Sequence, residues 1–351
     1  METSSMAAGL PAQATIKVMS PEEIAARAGG EVQHLRLPEG ATLFAERALR
    51  LRQLAASHAM RDYLIFMADL AQAQHLVLPT VSTLPLPTGA QIAGARALGR
   101  PPLPAADWPR DPAWHAALRS IVTELLPRAP EGARPALQAL LTAEPDWLER
   151  QADCLLTGVT LSLDMAAAPL VAAALQCYWV ALVQQTQARH GAEGMPAFLR
   201  IEDETVCPCC GSRPTASITR EVGGVAGQRY LHCSLCATEW HMVRIQCPHC
   251  LSGRSLADQQ LQASEGHELP GTGASIGAVQ AETCDDCGHY LKIFHTDRDP
   301  FVEPAADDLA SVTLDLLVSD TGMRRHGVNL MLLFGEPDEG IPPPPPDDGR
   351  P

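Results

Sequence analysis

The sequence predicts an α+β protein in which an all-α N-terminal domain precedes two small cysteine-bearing β modules in series and a C-terminal helix. Three observations predict it. Nine of the eleven cysteines fall between residues 200 and 300, the other two being Cys154 and Cys177. Before residue 200 apolar side chains recur at steps of three and four, the period of a helix with one buried face. From residue 213 onward that pattern gives way to short β-branched and aromatic runs separated by glycines.

With 351 residues, 46% hydrophobic and 19% charged, the chain is long enough for more than one core and too apolar for wholesale disorder. It divides into a disordered N-terminus (1–17), a helical domain (18–199), a double cysteine module (200–300), a C-terminal helix packing on a domain (301–336) and a disordered Pro-rich acidic tail (337–351). Ser20-Pro21-Glu22-Glu23 starts the first helix, with a serine cap, proline at the first helical position and glutamate at the third. From Ala41 to Leu76, Phe44, Ala48, Leu51, Ala55, Ala59, Tyr63, Met67 and Leu70 keep one face apolar, which predicts one long helix, straight or kinked. Eight prolines between Pro79 and Pro112 predict a long surface connection, because proline lacks the amide donor a helix needs. Helices resume at Trp114–Leu126, Arg134–Leu141, Asp146 to about Leu163, and Pro169 to about Arg189. Trp147, Trp179 and Met165 are expected in the core, and Asp164 as a helix cap.

In the second half ASIT, QRYLHC, EWHMVRI, GAVQAE and HYLKIF read as strands of small sheets. After Pro304, an amphipathic helix is expected from Ala305 to Val318, with Leu309, Val312, Leu316 and Leu317 on one face and Asp308, Ser311 and Asp315 on the other.

Four CxxC pairs stand at Cys207/Cys210, Cys233/Cys236, Cys247/Cys250 and Cys284/Cys287, with gaps of 22, 10 and 33 residues between them. Eight thiolates make two tetrahedral sites. Gly211 and Gly288, just after a second cysteine, permit the positive φ that such knuckles need. The long gaps do not fit the tight cysteine run of a bacterial ferredoxin, and four copies of a thioredoxin-type dithiol would be redundant. Disulfides do not persist in a reducing compartment. Mononuclear sulfur-four coordination of two metal ions remains, and it accepts iron or zinc. Alternate pairing of the knuckles would give one cross-braced module; the serial order, first with second and third with fourth, is expected, because it lets the 22- and 33-residue gaps form hairpins and makes the 10-residue gap a strand passing between modules. His232, His241, His249 and His289 are spare on this count, and so is the ninth thiol of the region, Cys209.

A net charge of −15, and seven basic against thirteen acidic residues in 201–300, argue against a phosphate-binding surface and so against nucleic acid. The N-terminus has no basic and apolar signal pattern, which points to the cytoplasm. The apolar stretch Leu155–Val183 is broken by Asp164 and Pro169, leaving too short a run to enter a membrane. No nucleophile, base and oxyanion arrangement stands out, so no enzymatic activity is expected.

CPCCGSRP, then RYLHCSLCATEWHMVRIQCPHC, then ETCDDCGHYLKIF, followed by ADDLASVTLDLL, resembles the FdhE family of formate dehydrogenase accessory proteins. The resemblance implies a helical N-terminal part, two rubredoxin-like metal sites built from the eight knuckle cysteines, and no catalytic activity. It also implies a partner, the catalytic subunit of a respiratory formate dehydrogenase in apo or precursor form, bound in the cytoplasm before twin-arginine export. Cys209 departs from the family's usual noncysteine residue. A redox or metal-transfer protein and a nucleic-acid-binding double zinc ribbon stay open as alternatives, as does homo-oligomerisation.

Overall fold

The structure, a computed structural model, describes residues 33–191, 196–222, 225–260 and 277–333. The helix expected after Ser20, the segment 1–17 and the tail 337–351 lie outside the described residues. Helical packing dominates the first half. The expected long helix is two helices packed side by side, α1 (Leu43–Ala55) and α2 (Arg61–Val77). His58 breaks it: the Met60 amide donates to its Nδ1 at 3.0 Å, and its Nε2 lies 2.8 Å from the Ala310 carbonyl oxygen. The side chain thus takes an amide that would otherwise serve the helix ladder.

The proline-rich segment is not a surface connection. It contains helix α3 (Gly89–Ala97), started by a capping box in which Thr88 Oγ1 accepts from the Gln91 amide and Gln91 Oε1 accepts from the Thr88 amide. Leu84, Ile92, Leu103 and Ala105 in this segment are buried. Helices α4 (Ala113–Leu125), α5 (Arg134–Leu141), α6 (Pro145–Thr157) and α7 (Ala168–Gly191) follow. Helix α6 stops short of Leu163 because Gly158, at φ 73°, caps it in the left-handed conformation. Asp164 is a cap, its Oδ1 accepting from the Ala166 and Ala167 amides just before α7. Helix α7 is buried on every side through Val183 and forms the axis of the main core, with Trp179 fully enclosed. Trp147 packs against that core, but Met165 is exposed, contrary to expectation.

The strands are β1 (Leu35–Arg36), β2 (Pro214–Val222), β3 (Val225–Cys233), β4 (Glu239–His241), β5 (Leu256–Gln259), β6 (Val279–Cys284), β7 (His289–Phe294) and β8 (Arg324–Arg325). They form one sheet in the order β1-β4-β3-β2-β7-β6-β5, with β8 paired to β7. This corrects two expectations. The first half is not wholly α, since β1 joins the sheet edge. The two cysteine modules do not sit on separate sheets, and the strand between them does not bridge them: β4 pairs with β3 and β1, and the junction is a short parallel pairing of β2 with β7 at Ser217↔Ile293 and Ile218↔Phe294. Buried Arg229 on β3 reinforces that junction. It donates to Ser217 Oγ and to the Gln246 carbonyl, and its Nη2 lies 2.5 Å from Glu282 Oε2 on β6.

The expected C-terminal helix is also two, α8 (Pro304–Ala310) and α9 (Val312–Ser319), parted at Ser311. Their polarity is the reverse of a usual surface helix. Asp307, Asp308, Ser311 and Asp315 are buried while Leu316 and Leu317 are exposed. The carboxylates turn inward because the cations are inside. Lys292 and Arg325 meet Asp308 and Asp315. On α1, Arg47 pairs with Glu303, and Arg50 with Asp299 and Asp307. Helical and C-terminal parts are therefore joined by buried ion pairs as well as by apolar packing.

Candidate metal centres

Each CxxC pair sits in a tight turn whose next residue is left-handed: Gly211 (φ 75°), Ala237 (57°), Leu251 (60°) and Gly288 (69°). That conformation lets the chain double back so that Gly211, Leu251 and Gly288 each donate an amide to the carbonyl of the pair's first cysteine. Amides of Leu235 and Cys236 also point at Cys233 Sγ, both at 3.4 Å, and the His249 amide points at Cys247 Sγ at the same distance. Donors aimed at sulfur favour the thiolate over the thiol.

The eight cysteines gather as Cys207/Cys210/Cys233/Cys236 and Cys247/Cys250/Cys284/Cys287, the four Sγ atoms of each set lying within 4.8 Å of one another. Sulfurs in the first set are 3.4 to 3.6 Å apart along the Cys210–Cys233, Cys207–Cys236 and Cys210–Cys236 edges. In the second set Cys250–Cys284 and Cys247–Cys287 are 3.7 and 3.8 Å apart. A tetrahedron with metal–sulfur bonds of about 2.3 Å has edges of roughly 3.8 Å, whereas a disulfide needs about 2.05 Å. The donor set therefore fits a tetrathiolate ion in both places.

Surroundings separate the two clusters. All four thiols of the first are buried inside the main core. The helical half grips its knuckles: the Leu103 and Ala105 amides donate to the Cys209 and Cys210 carbonyls, and Gln176 Nε2 donates to the Ser234 carbonyl at 2.8 Å. Burial pushes the Cys207 and Cys233 thiols far up. It works against the Cys236 thiolate too, but hydrogen bonds from Cys207, Cys209, Cys210 and Cys233 hold that group well below the ordinary thiol range. Cys209 is fully buried outside the set, accepts from Thr238 Oγ1 at 3.5 Å, and is pushed far up by burial, which leaves it inert as a nucleophile. In the second cluster Cys250 is exposed and Cys287 half-buried.

The spare histidines divide likewise. His232 lies 3.6 Å from Glu239. His241 stacks edge-on against Tyr230 and lines a small cleft with His34, Arg200, Glu204 and Trp240. His249 and His289 instead stack face to face beside the second cluster, ring centroids 3.8 Å apart, with His326 edge-on to His249 at 5.1 Å. Sequence reading missed His326 altogether. Its only signal was a histidine after Arg324-Arg325, brought in by the pairing of β8 with β7.

Similarity to known proteins covers the same ground. Residues 32–195 match the family model for the FdhE N-terminal domain, 206–244 that for the FdhE central domain, and 245–332 that for the FdhE C-terminal domain. The first cluster falls in the central domain and the second in the C-terminal one. A "Protein FdhE homolog" of Edwardsiella ictaluri is 38% identical over 326 residues, 92% of this chain and 100% of that protein. Another, of Serratia proteamaculans, is 39% identical over 84% of this chain and 89% of its own length. The crystal structure of the FdhE protein from Pseudomonas aeruginosa superposes with a TM-score of 0.69 at 35% identity, covering 85% of this chain and 98% of that one.

Proposed function

The chain belongs to the FdhE family, and from that premise we propose that it is a cytoplasmic maturation factor for respiratory formate dehydrogenase. It binds the catalytic subunit, as apo-enzyme or precursor, before twin-arginine export. Members of this family are accessory factors without catalysis of their own. The observation that carries the reading is the ordered match to all three parts of the family, 32–332, with both thiol clusters assembled inside it. A stray ribbon would match one part only. The eight cysteines hold two iron or zinc ions in rubredoxin-like fashion. An ion at either place supplies a cross-link among knuckles and, if it is iron, one-electron chemistry.

Capture of the catalytic subunit from extract, with and without its signal peptide and over a salt series, tests the partner. Binding is expected with the precursor. Should the acidic chain attract the basic signal, capture weakens as salt shortens the Debye length below about 8 Å, whereas an apolar contact with the mature body would not respond. No capture under any condition would refute the partner claim. One observation favours a second reading, redox or metal transfer: exposure of Cys250 leaves the second cluster open to solvent. The visible spectrum of anaerobically purified protein separates iron from zinc and so bears on it.

A further inference from the structure

Ser212 and Thr238 stand at the same place in the two knuckles of the first cluster, two residues after the second cysteine. Thr238 Oγ1 lies 3.2 Å from Cys236 Sγ, and Ser212 Oγ lies 3.4 Å from Cys210 Sγ. We propose that both are positioning residues of the first metal centre, their hydroxyls donating to the Cys236 and Cys210 thiolates and offsetting part of the charge of a buried tetrathiolate ion. The inference rests on reading the first cluster as a metal centre.

Electrostatics creates the need. A divalent ion held by four thiolates keeps two surplus negative charges, and all four sulfurs of the first cluster are 0% or 1% exposed, so water does not solvate them. Donors from the protein take its place. The Leu235 and Cys236 amides serve Cys233, and the two hydroxyls reach a different pair of sulfurs. A metal-bound cysteine sulfur has no proton and can only accept, so the proton in each contact is the hydroxyl's. Thr238 is itself 0% exposed, and among the described residues its hydroxyl meets only sulfur, Cys236 and, at 3.5 Å, Cys209. One proton cannot serve both. The nearer sulfur is the one that carries negative charge, so ion binding turns the proton from Cys209 to Cys236. The second cluster is built otherwise: Ser252 holds the same place after Cys250 but donates its hydroxyl to Asp286, and Cys250 is exposed to water.

The competing account is that Thr238 serves Cys209 alone and Ser212 is an ordinary half-buried hydroxyl. The test is the full chain loaded anaerobically with Co²⁺, its metal counted by elemental analysis. A hydrogen bond lowers the sulfur lone pair from which the thiolate-to-cobalt charge-transfer band takes its electron, so losing the bond moves that band to lower energy. Thr238→Val, close in shape, should keep two ions per chain and the ligand-field bands of tetrahedral cobalt while shifting the charge-transfer band to longer wavelength. Thr238→Ser, which restores the hydroxyl, should bring the band back. Ser212→Ala should shift it the same way as Thr238→Val, and Ser252→Ala should not. Two ions with an unmoved or oppositely shifted band in Thr238→Val would overturn the inference and leave the metal centre standing. Should Thr238→Val hold only one ion, Ser212→Ala decides, an unmoved band there overturning the inference and a shift to longer wavelength supporting it. An equal shift in Ser252→Ala would make any nearby hydroxyl the cause and overturn the assignment. Fewer than two ions in the unaltered chain would overturn the two-centre reading and this inference with it.

Discussion

Lys292 is one of only two lysines in the chain, and it is 2% exposed. Its ammonium donates to the Asp308 carbonyl at 2.7 Å, to Ser311 Oγ at 3.0 Å and to Asp315 Oδ2 at 2.7 Å, with Asp308 Oδ1 at 2.9 Å. Arg325 meets the same two carboxylates at 2.6 and 2.9 Å. Lys292→Met keeps the length of the side chain but leaves two buried carboxylates facing one guanidinium. Removing one partner of a buried pair costs about 3–5 kcal/mol. Because Arg325 stays in place and Asn329 and Tyr290 still donate to Asp308 and Asp315, the low end, about 3 kcal/mol, is expected. That corresponds to roughly a 100-fold rise in the population of states with α8 and α9 undocked. Native-state hydrogen exchange of amides in these helices reads it directly, as a loss of protection of that order. Adding Asp315→Asn to Lys292→Met removes the surplus charge and should restore part of the loss. Unchanged protection in Lys292→Met, or a double variant as weak as the sum of the single losses, would refute the account of α8 and α9 as helices held by their charged face.

Other expectations follow from the same geometry. Cys207→Ser with Cys233→Ser should cost one ion per chain, and Cys233→Ser with Cys284→Ser should cost both, as elemental analysis would show. Arg50→Ala strands Asp299 and Asp307 against α1 and should lower stability by about 3 kcal/mol, seen as a fall in Tm. Gly327→Ala drives a new methyl into the Thr215 carbonyl and to 2.9 Å from Leu291 Cδ1, for a loss of about 1–3 kcal/mol in urea unfolding. Leu251→Gly relieves a left-handed, half-exposed leucine and should raise the Tm of the metal-loaded protein by an amount equivalent to about 1 kcal/mol.

The cysteine pairs and their sorting into neighbouring sets were readable from spacing, because a CxxC turn is local and its partner must lie within a hairpin's reach. The helices with strong three-four periodicity were readable for the same reason. What escaped depended on distant partners. Asp308, Ser311 and Asp315 look like a solvated face until Lys292, sixteen or more residues upstream, is placed under them. Two pairs of residues, Ser217 with Ile293 and Ile218 with Phe294, turn two expected ribbons into one sheet, and nothing local announces them. The Thr88–Gln91 capping box was local and legible, but eight surrounding prolines obscured it. His326 acquires meaning only through the pairing of β8 with β7.

Enclosure of the first cluster sets a timescale. With all four of its thiols 0% or 1% exposed and its knuckles held by Leu103, Ala105 and Gln176, an ion there leaves only when the core opens. Its residence time is then governed by the unfolding rate, which for stable domains reaches hours to days. An ion held by the second cluster, with Cys250 at the surface, would leave at the rate of ligand dissociation. Ions at the two positions would therefore keep different histories: the first would retain whatever metal was at hand while the chain folded, and the second would track the solution around it.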